Sequence, residues 1–236
     1  MTPLLATTDL HAFYGSFHVL HGIDVSVSAG ETVALMGRNG MGKTTLMRAL
    51  MGLVPQRRGR ITFGGRDLSA AAPEFIARAG VAFVPEGRGV FASLSVVENL
   101  TMAARPSRDG RATWTLERIY DLFPRLAERR KNRGDQLSGG EQQMLTIGRA
   151  LMTNPDLILI DEATEGLAPL VAQTIWSTIE KIRAERVATI VVDKDFRALS
   201  RIADRILLMS KGTIVFEGAP AALAADTALR ERHLGV

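Results

Sequence analysis

The residues with the most chemistry to offer form one stretch, Gly37-Arg38-Asn39-Gly40-Met41-Gly42-Lys43-Thr44, with the spacing G-x-x-x-x-G-K-[ST]. It follows the apolar run Thr32 to Met36 and precedes Thr45-Leu-Met-Arg-Ala-Leu-Met51, an order that reads strand, loop, helix. A phosphate chain needs that order. Glycines let backbone N–H groups approach the oxygens, and a helix N-terminus adds its positive dipole end. Lys43 would reach the β- and γ-phosphates, and the Thr44 hydroxyl would serve Mg²⁺. Nucleoside triphosphate binding is the expectation, with Met41 only packing.

Two further constellations extend this chemistry. Asp156-Leu-Ile-Leu-Ile-Asp161-Glu162 is an apolar strand that ends in two carboxylates, where open α/β sheets bind ligands. An acidic pair there can simply cap a helix. Downstream of a phosphate loop, Asp161 would hold the hydration shell of Mg²⁺ and Glu162 would act as general base on the attacking water. Leu137-Ser138-Gly139-Gly140-Glu141-Gln142 places a hydroxyl and two glycines at a helix start, a second anion nest. One nucleotide needs only one cradle, so the second would serve a nucleotide held by another copy.

The elements that must position these groups follow from periodicity. Short β-like stretches run from Leu4 to Phe13 and from Val19 to Val27, with further strands at Ile61–Phe63 and Val81–Val84 and a short helix at Pro73–Ala79. From Val96 to Leu151 the period becomes helical, carried by Leu116, Ile119, Tyr120, Leu122, Phe123 and Leu126. Strand and helix then alternate: a strand to Ile160, a helix Pro169–Ala184, a strand Ala188–Val192, a helix Phe196–Ile202 and a strand Arg205–Met209. A hairpin at Gly212–Gly218 and short helices finish the chain. Alternation of this kind predicts an α/β fold with a mostly parallel sheet covered by helices.

Composition bounds the rest. The chain has 236 residues, 46% hydrophobic and 23% charged, ordinary for a globular protein. No apolar run approaches a membrane span, and the first nine residues lack a basic n-region, so no secretory signal is expected. Zero cysteines exclude disulfides and thiolate metal sites, which fits the cytosol. The net charge of +4 is a small excess. Its densest basic cluster, Arg125 to Arg133, reads as a solvated end of an amphipathic helix, with anionic lipid or RNA as alternatives.

Together these motifs resemble the ATP-binding subunit of ABC transporters over essentially the full length. Gly37 to Thr45 looks like the Walker A loop, Leu137 to Gln142 the signature, and Asp156 to Glu162 the Walker B strand. The resemblance implies a P-loop cassette in one domain, with residues 1–86 and 155–236 as nucleotide-binding core plus antiparallel β subdomain and 87–154 as helical subdomain. It implies that Tyr14 stacks on adenine, that Ser138, Gly139, Gly140 and Glu141 face the γ-phosphate of ATP on the opposite subunit, and that ATP and Mg²⁺ are the cofactors. Val84-Pro-Glu86-Gly-Arg88, Glu165-Gly-Leu-Ala-Pro169 and His233-Leu-Gly-Val236 narrow the likeness to the shorter ATPase of branched-chain amino acid importers. Importers of urea and short-chain amides share these motifs. The implied partners are two membrane permeases, a second ATPase (a heterodimer, or else a homodimer) and an external binding protein, with no nucleic acid. The implied place is peripheral, on the cytoplasmic face of the inner membrane.

Two positions depart from the family pattern. Glu86 stands where glutamine is usual; its oxygen still suits Mg²⁺ but adds negative charge. Asp193-Lys194-Asp195 stands where a histidine usually bridges the γ-phosphate and the catalytic carboxylate. Lys194 can donate but not accept, and would pair either with the γ-phosphate or with Glu162, the latter making a weaker base. Slow hydrolysis that depends on a partner ATPase is therefore expected, beside the plain alternative of a tolerated variant. Two other classes remain open: a soluble ABC protein acting on nucleic acid or the ribosome, and a switch that closes on ATP and scarcely hydrolyses it.

Overall fold

The computed structural model describes residues 2–107, 110 and 113–235. Positions 108, 109, 111 and 112, inside the expected helical stretch, and Val236 of the C-terminal motif lie outside the described residues.

Strand β1 (Leu5–Tyr14) pairs with β2 (Phe17–Val27) across a two-residue turn. After β3 (Thr32–Met36) and helix α1 (Lys43–Leu50) the chain returns to β1 as β4 (Gln56–Phe63), followed by β5 (Arg66–Asp67). These form an antiparallel sheet in the order β2-β1-β4-β5. Helix α2 (Pro73–Arg78) leads into β6 (Val81–Val84), and the next helices are α3 (Val96–Thr101), α4 (Leu116–Leu122), α5 (Pro124–Glu128) and α6 (Gly139–Leu151). Then come β7 (Leu157–Asp161), α7 (Pro169–Ala184), β8 (Ala188–Val192), α8 (Phe196–Ile202), β9 (Arg205–Ser210), β10 (Thr213–Gly218), α9 (Pro220–Ala225) and α10 (Thr227–His233). The second sheet runs β10-β9-β3-β8-β7-β6, all parallel except the edge hairpin strand β10.

Successive residues of the parallel strands alternate between two apolar layers. Ala34, Ile158, Ile160, Val191 and Leu208 face one layer with α6, α7 and α8; Val33, Leu35, Leu157, Ile190 and Met209 face the other with α1 and the antiparallel sheet. A strand buried on both faces needs a continuous apolar run, which is why these five were legible as sequence. Their C-terminal ends release Gly37, Glu86, Glu162 and Asp193 along one edge.

Two segments differ from expectation. β4 starts at Gln56, five residues before Ile61, because its polar stretch pairs through its backbone with β1 while Arg57 donates to the carbonyls of Ala49, Ser69 and Ala71. A hydrophobic pattern cannot reveal a strand anchored by an arginine. The amphipathic helix near 116–133 breaks at Phe123, held at φ −130° and ψ 77° before Pro124, and stops at Glu128. Most of the basic cluster therefore follows the helix, and Arg125, Arg129 and Arg133 pair with Glu128, Glu141 and Asp135. Among the described residues no helix is long and apolar enough to cross a membrane.

Candidate active site

The loop between β3 and α1 is shaped by what its glycines avoid. A Cβ on Gly37 (φ 141°) would lie 2.3 Å from the Met209 carbonyl oxygen, so only glycine lets the loop leave β3 past β9. Gly42 (φ 106°) caps α1, and no side chain bonds the helix start, which leaves first-turn N–H groups open to an outside acceptor. Met41 is held from behind: its carbonyl accepts from Gly212 N at 3.0 Å and its sulfur from Lys211 N at 3.3 Å. Lys43 closes the loop on itself, donating from Nζ to the carbonyls of Gly37 at 2.8 Å and Arg38 at 3.0 Å. Burial pushes the Lys43 pKa down, opposed by the charges of Glu162, Asp161 and Glu165. Thr44 and Thr45 continue the first turn of α1, half-buried, while Arg38, Asn39 and Gly40 are exposed.

Across β8, the end of β7 supplies carboxylates. Asp161 is fully buried, and neither of its oxygens has a hydrogen-bond partner among the described residues. Burial raises its pKa, and the nearby Thr44 hydroxyl and Lys43 oppose that rise without completing a hydrogen bond. Glu162 adopts φ 52°, unusual for a residue with a Cβ, and its N–H donates to Val192 O at 2.9 Å. Its pKa is pushed up to about 7, first by a hydrogen bond with Glu165, then by burial and by the charges of Glu165, Glu86 and Asp161. Glu165 moves the other way, its carboxylate favoured by that bond and by Lys194. Glu86, Glu162 and Glu165 bring carboxylate oxygens within 4.8 Å of one another.

Lys194 pairs with Glu165 at 3.6 Å, not with Glu162, and is 80% exposed. Its flanking aspartates are structural. Asp193 Oδ2 accepts from the Thr164 N–H at 3.1 Å and hydroxyl at 2.7 Å, and Asp195 caps α8 through Ala198 N at 2.9 Å. In the sequence Glu165 stands out only as the first residue of the Glu165-Gly-Leu-Ala-Pro169 motif, and Asp193 and Thr164 carry no assigned role. The one available signal was the Asp-x-Asp spacing before a helix, which marks a cap.

Gly37, Asn39, Lys43, Glu162, Glu165, Val192, Asp193 and Lys194 line one small cleft of about 30 Å³. That is room for one water-sized group; a cavity of about 220 Å³ shares Gly37, Asn39, Asp193 and Lys194 with it and adds Met36, Arg38 and Leu234. A roomier cavity of about 910 Å³ lies elsewhere, lined by Arg66, Trp114 and Glu185 among others, and shares none of these residues. Tyr14 ends β1, 39% exposed beside exposed Phe17, and lines none of these spaces.

The signature residues are also outside the cleft. Ser138 caps α6 in a reciprocal box: its N–H donates to Glu141 Oε2 at 2.8 Å, and Glu141 N–H donates to its hydroxyl at 3.3 Å. A Cβ on Gly139 would meet the Arg88 guanidinium at 2.7 Å, and one on Gly140 would meet Val171 Cγ1 at 2.6 Å. Arg88 itself is fastened to α6. It donates to Gln142 Oε1 at 3.5 Å, and its carbonyl accepts from the Thr146 hydroxyl. Arg149 adds a bond to Gly89 O at 2.7 Å and sits over the Phe91 ring.

A phosphate loop, a buried acidic strand end and a separate capped nest are thus arranged on one parallel sheet edge and one helix start. The family model described as ABC transporter matches residues 20–165. The chain belongs to the ABC transporter family. Its sequence is 39% identical, over 98% of this chain and 100% of the relative, to the high-affinity branched-chain amino acid transport ATP-binding protein BraG of Pseudomonas aeruginosa. It is 30% identical, over 98% and 97%, to the lipopolysaccharide export system ATP-binding protein LptB of Escherichia coli K12. A nucleotide-free ATP-binding cassette from an ABC transporter superposes with a TM-score of 0.82 over 98% of both chains, at 24% identity, which speaks for the fold. As an ABC cassette the chain is a nucleotide-binding ATPase subunit.

Proposed function

We propose that this ABC ATPase drives import of branched-chain amino acids, working as a peripheral subunit beneath two membrane permeases and with a second ATPase. The observation that carries it is the likeness to BraG, which spans the whole of that protein rather than the cassette motifs alone. The likeness to LptB is lower and keeps export as the second reading.

In this reading ATP lies over the loop 37–45, with Tyr14 against adenine. Lys43 exchanges the Gly37 and Arg38 carbonyls for phosphate oxygens. Thr44, Asp161 and Glu86 would hold Mg²⁺, which neutralises charge on the phosphate oxygens. The fit rests on Asp161: two buried carboxylate oxygens without partners are costly unless a cation serves them. Glu162 takes a proton from the water that attacks the γ-phosphorus, and ADP leaves. Glu165 holds Glu162 through their hydrogen bond, and Lys194 holds Glu165. The nest of Ser138, Gly139, Gly140 and Glu141 serves the opposite subunit's nucleotide, and the helical segment 87–154 carries it as a subdomain.

The test is purification of the tagged chain from its native membranes, followed by uptake of labelled leucine into vesicles holding the recovered complex. Recovery of two permeases and a second ATPase, with leucine uptake lost in Glu162→Gln, is the expected result. Recovery with an export assembly, or from the soluble fraction with ribosomes or nucleic acid, overturns it.

A further inference from the structure

Three of the chain's four histidines meet in one place, and the nucleotide chemistry uses none of them. Three irregularities in the pairing of β1 with β2 gather them. Between Thr7 and Leu10 the strand β1 carries one residue more than its partner, and between Leu20 and Ile23, and again between His18 and Leu20, the extra residue is in β2. Such bulges re-aim side chains. Leu20 and Ile23, three apart, are both fully buried as a result, and His18 and His21 both turn outward with ring centroids 4.0 Å apart.

The hydrogen bonds fix which nitrogens face which. Asp9, at the bulge with φ 50°, meets His11 Nε2 with its carboxylate at 3.0 Å, so that nitrogen carries the proton. Gly22 makes room for this pair, because a Cβ there would lie 2.9 Å from the Asp9 carboxylate. The other nitrogen of His11, Nδ1, is then a lone pair, and it faces His18 Nε2 at 2.9 Å. A neutral imidazole is the form that binds metal.

We infer that His11 Nδ1 and His18 Nε2 form the preformed pair of a site for a borderline transition-metal ion of the Zn²⁺, Ni²⁺ or Cu²⁺ class, with His21 swinging in from its place against the His18 ring as third ligand. Asp9 is its positioning residue, in the carboxylate–histidine–metal arrangement common to such sites. Two nitrogens at zinc distances in a tetrahedron are about 3.4 Å apart, so the pair must open by about half an ångström and both rings must turn until their lone pairs converge on the ion. The metal replaces the proton between the rings, which moves to Nδ1 of His18, and His21 turns about its Cβ to reach it. Arg58, whose guanidinium lies over Phe13 beside His18, opposes binding.

The experiment titrates the full chain, made without a histidine tag and free of nucleotide, with Co²⁺ as a spectroscopic stand-in for Zn²⁺. Excess Mg²⁺ occupies the carboxylate cluster near Glu162, which prefers a hard ion. One equivalent of Co²⁺ with visible absorption, displaced by Zn²⁺, is expected. His18→Asn and His21→Asn should each abolish the absorption, and Asp9→Asn should weaken binding about 10- to 100-fold. Melting curves that match the parent's confirm that the variants fold. No absorption in the parent overturns the site, as does binding that survives in His18→Asn. Because no ATP is present, failure here is separate from failure of the transport reading.

Discussion

Glu162 cannot act as a base while it keeps its proton, and its neighbours decide when it lets go. With its pKa raised to about 7, the carboxylate forms as pH climbs through neutrality, so hydrolysis should rise over that window and level off above it. Glu165 is the largest cause of the rise, through a hydrogen bond and then through its charge. Glu165→Ala should therefore move the midpoint of the kcat–pH curve to lower pH, and a midpoint that stays in place would show that Glu165 does not hold the pair. The two carboxyls titrate together, so the curve belongs to the pair. Lys194 sits one step further out. An ion pair at 3.6 Å with both partners largely exposed is worth at most about 1 kcal/mol, so Lys194→Ala should cost no more than about fivefold in turnover. A loss of a hundredfold would mean that Lys194 itself touches the γ-phosphate.

At the scale of elements, glycines next to one another on α6 do different work. Gly140 lies against Val171 on α7, and a Cβ at 2.6 Å from a branched methyl cannot be absorbed without parting two helices. Gly140→Ala should cost about 1–3 kcal/mol, read as a lower melting temperature. Gly139 meets only the end of the Arg88 side chain, which can swing away. Gly139→Ala should leave the melting temperature within a degree or two, at about 0.5 kcal/mol or less, yet slow turnover by releasing the 85–91 loop from α6. Equal melting shifts in the two variants would refute this division. The difference was not visible in sequence, where both glycines read alike as parts of an anion nest. What sequence made legible was everything that repeats or is spaced: the apolar strands β3, β7 and β8, the loop between Gly37 and Thr44, and the helix start at Ser138. The polar strand β4 depends on partners distant in the chain, and the bulges that collect His11, His18 and His21 depend on the register of the β1–β2 hairpin; the break before Pro124 is local, and the helical spacing that runs through it conceals it. Lys194 shows the limit well. Its position was legible, but its pairing with Glu165 depends on the 162–165 loop, which is tied to the end of β8 by Glu162 N–H on Val192 O and by Thr164 on Asp193.

The whole molecule carries two glycine-rich helix starts that do not share a cleft: Lys43 and Glu162 line one space, and Ser138, Gly139 and Gly140 lie outside it. A composite site built from two subunits makes a prediction that no single-chain mechanism makes. Lys43→Ala disables the loop of its own subunit and leaves the nest intact, while Gly139→Asp, whose Cβ meets only the movable end of Arg88, places a carboxylate at the nest and leaves the loop intact. Each variant alone should lose hydrolysis. Assayed without the second ATPase, where the chain pairs with another copy of itself, and mixed in equal amounts, they form hybrid dimers in which the loop of the Gly139→Asp subunit meets the nest of the Lys43→Ala subunit. Half of the dimers are then hybrids, and half of the sites in each are whole, so phosphate release should return to about a quarter of the parent's. The parent chain assayed alone supplies the reference. Restoration near that level, absent from either variant by itself, requires that one subunit's signature complete the other's active site. A mixture as inactive as its components, with hybrid dimers confirmed by crosslinking, would mean that each chain hydrolyses with its own residues and that the nest at Ser138 is only a helix cap.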